Sequence, residues 1–220
     1  MKRIVFGLSA LASVVIVSAV QANTIQAWQT PGRSYSDGGE FTARLNGNPA
    51  TDFQTFCIEV FNTFSPGATY TYTTGQTTHN NPPGASPLTM GTAWLVRQWW
   101  DGSLAYDGTK QDDVGALQAA LWYFQSQPYN NASQNFSAWG MPTSSSGSWD
   151  TSLNKYIQAA DTALGSDAAG FAASAGAYGV FVYQVENGQD FVGVPDGGTT
   201  VALLGIGLTS LGFLSRRYRK

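Results

Sequence analysis

Two apolar segments, one at each end of the chain, limit most strongly what this sequence can fold into, because they leave only the middle to form a globular domain. Residues 4–20 are largely apolar, follow Lys2 and Arg3, and end in Val20-Gln21-Ala22, where small residues suit signal-peptidase cleavage. We expect a signal peptide at residues 1–22, a folded body at 23–193 and a C-terminal segment at 194–220. The alternative interpretation of the first segment is an uncleaved membrane anchor.

The body between these segments is acidic and rich in aromatic residues. It holds five Lys or Arg against thirteen Asp or Glu, and the whole chain is 13% aromatic. The apolar content excludes a disordered chain, and the acidic charge disfavours nucleic acid as a partner. One Cys and one His exclude an internal disulfide framework and a Cys-rich zinc site. We therefore predict no metal, no cofactor and no nucleic-acid partner.

The order of secondary-structure signals predicts an α+β fold. Strand and turn signals dominate residues 24–72, and the clearest strand is residues 53–61, where Phe56, Ile58 and Val60 alternate. Helices are predicted at residues 88–100, 112–125 and 151–164, before closing strands at 178–186 and 190–192. We expect a β-sandwich or barrel-like scaffold with an inserted helical subdomain. The terminal segments add an N-terminal signal helix and a C-terminal hydrophobic helix.

Two residues of the body are unusual for their predicted surroundings. Gln118 lies inside the apolar arc of the second helix, where an unpaired amide would cost about 1–3 kcal/mol, so it needs a hydrogen-bond partner. The helix alone favours a nearby backbone group as that partner. Cys57 is the lone thiol of an exported chain. It could be a buried inert thiol, an intermolecular disulfide partner or a reactive group.

The two residues together suggest a specific chemistry. The body resembles the thioester domains of bacterial surface adhesins in two motifs, Phe-Cys-Ile-Glu at residues 56–59 and Leu-Gln-Ala-Ala-Leu-Trp at residues 117–122. The predicted helix segment between them, residues 92–96, also resembles that family. The resemblance implies an internal thioester between Cys57 and Gln118, formed with loss of ammonia. A thioester must be shielded from water, and Trp94 and Trp122 are candidates for that role. Glu59 shares the predicted face of Cys57 and is a candidate for proton transfer, with a solvated surface side chain as the alternative.

The C-terminal segment carries a second resemblance. Val194, Pro195, Asp196, Gly197 and Gly198 precede the apolar residues 201–214 and the basic end Arg216, Arg217, Arg219 and Lys220. This layout resembles PEP-CTERM sorting signals in their Val-Pro-Asp variant. The resemblance implies a Gram-negative bacterium, a transient inner-membrane anchor and cleavage by exosortase. The alternative interpretation is a plain C-terminal anchor, with the basic end kept in the cytoplasm.

These features predict an exported protein of the cell surface or the extracellular matrix. Its body would attach covalently to a surface amine or hydroxyl ligand through Cys57 and Gln118, once per molecule, so it would not be an enzyme. The alternative is a structural or carbohydrate-binding matrix protein without a thioester. A hydrolase is a third alternative, but no convincing acid/base pair supports it.

Overall fold

The computed structural model of the protein describes residues 22–35, 38–60, 62–79, 85–126 and 151–195. Its six strands are β1 (Thr24–Tyr35), β2 (Gly38–Leu45), β3 (Phe53–Phe56), β4 (Tyr70–Gly75), β5 (Phe181–Val185) and β6 (Phe191–Gly193). Its helices are α1 (Met90–Trp100), α2 (Gln111–Phe124), α3 (Thr151–Leu164) and α4 (Asp167–Gly170), with 3₁₀ turns at Pro49–Thr51 and Ala177–Gly179.

The strands form one antiparallel sheet in the order β3-β2-β1-β4-β5-β6. The four helices of the described residues all come between β4 and β5 in the chain, so this helical part is an insertion into the sheet. The predicted α+β class and the inserted helices are confirmed. No helix within the described ranges is long and apolar enough to cross a membrane. The predicted signal helix and C-terminal hydrophobic helix lie outside those ranges.

The two edge strands of the sheet, β3 and β6, meet. The Thr55 hydroxyl on β3 donates to the Val192 carbonyl at 2.5 Å, and Cys57 forms an isolated antiparallel bridge with Phe191. The Ile58 N–H then donates to the Asp190 carbonyl at 3.2 Å. We call this junction the seam. It satisfies backbone groups that an open sheet edge would leave unpaired.

The seam also corrects one predicted boundary. The strand expected at residues 53–61 ends at Phe56, because the chain then leaves the β2 ladder and crosses to β6. Cys57 therefore lies just beyond a strand, whereas the alternation pattern had placed it in the middle of one. The side chains on both faces of this segment are buried, since Thr55, Cys57 and Glu59 are as inaccessible as Phe56 and Ile58.

Helix α2 is the central helix of the domain. Residues 113–122 are all buried, and the helix contacts β1, β2, α1 and α3. The apolar arc predicted for this helix is buried, at Val114, Leu117, Leu121 and Phe124, but the buried surface extends around the helix. The Asp113 carboxylate accepts hydrogen bonds from the Asp107 N–H at 2.6 Å and the Tyr156 hydroxyl at 2.9 Å. These bonds fix the start of α2 to its preceding loop and to α3.

A glycine permits the close contact between β2 and α2. A Cβ atom at Gly38 would lie 2.8 Å from the Trp122 ring and 2.9 Å from Cγ of Gln118. Gly38→Ala should therefore destabilise the domain by about 1–3 kcal/mol, the usual cost of overpacking. Denaturant unfolding would measure the change. Gly75→Ala is the matched control, because its Cβ would meet only the movable end of the Gln184 side chain. Equal stability of the two variants would contradict this contact.

Candidate functional site

The structure brings Cys57 and Gln118 into direct contact. The Cys57 thiol donates to Oε1 of Gln118 at 3.3 Å, and Nε2 of Gln118 donates to the Cys57 carbonyl at 2.7 Å. The two residues are 61 positions apart in the chain, and both are buried. The seam holds Cys57, and the central helix α2 holds Gln118. We call these two side chains the Cys–Gln pair.

The Gln118 amide has a third contact, with the backbone of β2. The Gly39 N–H donates to Oε1 at 3.2 Å. The expectation that a buried amide needs partners is confirmed, and those partners are both backbone and thiol. Because a carbonyl bond is about 1.23 Å long, the Cys57 sulfur lies at most about 4.5 Å from the amide carbon. The Gly39 N–H points at the oxygen on which negative charge would develop if the sulfur attacked that carbon.

The surroundings of the thiol favour its protonated form. Burial is the main cause that raises the pKa of Cys57 well above its usual range, and the nearby Glu59 carboxylate raises it further. Hydrogen bonding from the side chains of Trp122 and Gln189 acts in the opposite direction and lowers that pKa. Cys57 is therefore a protonated thiol in the folded protein. It does not react until it loses its proton, and the Trp122 and Gln189 side chains can then stabilise the thiolate.

A second acidic group lies beside Glu59 in the seam. Oε2 of Glu59 accepts from the Asn62 side chain at 2.6 Å and from the Asp190 N–H at 3.1 Å. The Asp190 carboxylate accepts from the N–H groups of Val185, at 2.8 Å, and His79. Burial, then the charge of Glu59, raises the pKa of Asp190 to about 7, although both N–H bonds oppose the shift. A proton can therefore be held next to Glu59 near neutral pH.

The other predicted site residues are distributed more widely. Trp122 lies on α2 beside the Cys–Gln pair, whereas Trp94 lies on α1 and packs, half-buried, against the core. Of the sorting segment, Val194 is buried in the core and Pro195 is exposed. Asp196, Gly197, Gly198 and the basic end lie outside the described residues. In the described part of the chain, no group of three His, Cys, Asp or Glu is placed to hold a metal.

Three contributors to the site were not foreseen from the sequence: Gly39, Gln189 and Asp190. Nε2 of Gln189 donates to the Glu59 carbonyl at 2.7 Å, which places its amide in the seam. Gly38-Gly39 is a recognisable turn signal, and it could have located the start of β2. No local pattern marks Gln189 and Asp190, because only the closure of the sheet brings them to Cys57.

The C-terminal segment of the chain matches a known sorting signal. A family model described as the VPDSG-CTERM motif covers residues 193–218. The predicted sorting segment is therefore confirmed, with Gly197 where the motif's description has serine. The motif implies export, processing by exosortase and sorting to the cell surface or extracellular space. No curated protein and no solved structure matches the chain significantly.

The raised pKa of Asp190 predicts a pH dependence of stability. Between its ordinary value of about 3.9 and its folded value of about 7, the folded chain keeps a proton that the unfolded chain releases. The stability contributed at low pH is therefore lost as pH rises through this window, and the change levels off above it. Each pKa unit corresponds to about 1.4 kcal/mol, so the effect is on the order of a few kcal/mol.

Denaturant unfolding at pH 5 and pH 7.5 would measure this effect. Glu59→Gln keeps an oxygen for the N–H donors but removes the charge, which lowers the pKa of Asp190 toward its ordinary value. The stability of that variant should therefore change less between the two pH values than that of the unaltered protein. An equal change in both proteins would mean that the charge of Glu59 does not raise the pKa of Asp190, and no change in either would mean that Asp190 does not titrate in this window.

Proposed function

We propose that this exported, exosortase-sorted protein attaches covalently to a surface partner through a thioester between Cys57 and Gln118. The observation that carries the proposal is the geometry of the Cys–Gln pair. The thiol contacts the amide oxygen at 3.3 Å while the Gly39 N–H contacts the same oxygen at 3.2 Å. The resemblance of residues 56–59 and 117–122 to bacterial thioester domains supports the same chemistry.

Formation of the bond needs no external reagent. The sulfur attacks the amide carbon of Gln118, and the carbon–sulfur bond forms as the carbon–nitrogen bond breaks. The thiol proton joins the leaving NH₂ group, which departs as ammonia. The Gly39 N–H would stabilise the oxyanion of the tetrahedral intermediate, and the Trp122 and Gln189 side chains would stabilise the sulfur while it is negative.

Transfer to a partner reverses the roles of the two side chains. An amine or hydroxyl of the partner attacks the acyl carbon, which forms an amide or ester with Gln118, and Cys57 leaves as a thiolate that takes up the partner's proton. Each molecule reacts once, so the protein is not an enzyme in the turnover sense. Because both side chains are buried, the partner must open the site locally, and water is excluded until then.

Intact mass spectrometry of residues 23–195 tests this proposal. The unaltered protein should be lighter than its composition by one ammonia, because formation of the bond expels it. Cys57→Ala is the matched control and should have its full mass. Methylamine should add to the unaltered protein at Gln118 and leave one titratable thiol.

Full mass and a free thiol in the unaltered protein, with normal folding, would contradict the thioester. The protein would then fit the alternative of a non-covalent structural or carbohydrate-binding matrix protein.

The indole of Trp122 should affect the rate at which the bond forms. Trp122→Phe keeps an aromatic ring but removes the N–H that lowers the pKa of the Cys57 thiol. A hydrogen bond to a charged group is worth about 1.5–3 kcal/mol, so formation should slow by about tenfold to a hundredfold. The mass change would be followed over time after refolding. Trp28→Phe is the control, because Trp28 lies on β1 and contacts Arg44. Equal rates in both variants would exclude this role for Trp122.

A further inference from the structure

A pocket lies at the start of helix α2. It has a volume of about 790 Å³ and is lined by residues 104–107, residues 110–113 and Lys155 of helix α3. Side chains of both charges line it, and the exposed Lys110 lies where it opens to solvent. We call it the α2 pocket. A pocket of this size can hold a ligand or a side chain of another protein.

Tyr106 connects this pocket with the Cys–Gln pair. It lines the α2 pocket, its hydroxyl donates to Oε2 of Glu40 at 2.7 Å, and its ring centroid lies 6.3 Å from that of Phe56. Glu40 and Phe56 are paired across β2 and β3. Each directly adjoins a residue of the site, Gly39 in β2 and Cys57 after β3. Tyr106 therefore contacts, from the pocket, both backbone segments that hold the pair.

The backbone on each side of Tyr106 is fixed. The Ala105 carbonyl accepts from Nζ of Lys155 at 3.0 Å, which ties the loop to helix α3. The Asp107 N–H donates to the Asp113 carboxylate at 2.6 Å, which ties the loop to helix α2. Because the loop is held at both positions, the part that can move is the side chain of Tyr106.

The hydrogen bond between Tyr106 and Glu40 can open without leaving a buried charge unpaired. The Glu40 side chain is fully buried, so it needs a partner. Arg33 pairs with Oε1 of Glu40 at 2.6 Å, whereas Tyr106 donates to Oε2. Arg33 therefore still neutralises Glu40 when the tyrosine side chain turns away.

We propose that a partner's amine or hydroxyl enters through the α2 pocket and that Tyr106 controls its access to the Cys–Gln pair. Rotation of this side chain away from Glu40 would open the pocket toward the acyl carbon of Gln118. There the bond from carbon to the partner's nitrogen or oxygen forms as the carbon–sulfur bond breaks, and Cys57 leaves with the partner's proton. The inference rests on the proposed function and adds the route and the residue that controls it.

The first test compares Tyr106→Phe with the unaltered full chain. Intact mass would follow the reaction of the thioester with methylamine over time. The variant should react about tenfold faster, the factor that a modest hydrogen bond to a charged group represents. Tyr123→Phe is the matched control, because it also loses a hydroxyl bond to a carboxylate, that of Asp167 at 2.8 Å. It should react at the rate of the unaltered protein.

The second test uses the size of the amine. Tyr106→Ala also removes the ring, so its rate with benzylamine relative to methylamine should rise severalfold. A general loosening of the fold would speed both amines alike and leave this ratio unchanged. Tyr123→Ala is the control and should keep the ratio of the unaltered protein.

Equal methylamine rates for the two phenylalanine variants, or an unchanged amine ratio in Tyr106→Ala, would overturn the route. Full mass in the unaltered protein would instead contradict the thioester. Alkylation of the free Cys57 thiol by iodoacetamide would then test the route by itself. Tyr106→Phe should again react faster than Tyr123→Phe, and equal rates would overturn the proposal.

Discussion

The buried amide of Gln118 joins the two halves of this fold. Its oxygen accepts from Gly39 and Cys57, and its nitrogen donates to the Cys57 carbonyl, so three hydrogen bonds tie helix α2 to β2 and to the seam. An amide buried without these partners would be costly. The helix can occupy its central position only if the sheet closes to supply the partners, and Gly38 leaves the space that this close contact needs.

Buried acidic side chains surround this contact. Glu40, next to Gly39, pairs with Arg33 at 2.6 Å and accepts from the Tyr106 hydroxyl at 2.7 Å. Glu59 and Asp190 lie on the other side, in the seam, and accept backbone N–H groups. Buried charges are tolerated when they are paired or hydrogen-bonded. Here they fix the backbone on either side of the Cys–Gln pair, and burial, followed by the charge of Glu59, raises the pKa of the Cys57 thiol.

The sequence predicted the helices better than the strands. Helix α3 has its predicted bounds, and α2 begins and ends within one residue of its prediction, because apolar spacing is a local signal and α2 also has acidic residues in its first turn. The strand predicted at Cys57 was too long, since its end depends on a bridge to Phe191, which is distant in the chain. Cys57 and Gln118 could be named from local motifs. Gln189 and Asp190 could not, because only the closure of the sheet brings them to the site.

The C-terminal strand links the sorting motif to the Cys–Gln pair, because β6 completes the seam at Cys57 and ends at Gly193, where the motif begins. The central claim is that Cys57 and Gln118 become covalently linked in the folded protein. The most direct measurement is peptic peptide mapping at low pH, where a thioester survives digestion. The proposal predicts one linked species that contains the peptides around Cys57 and Gln118, and methylamine treatment should separate them. Two unlinked peptides, with an alkylatable Cys57 thiol and an intact Gln118 amide, would contradict it.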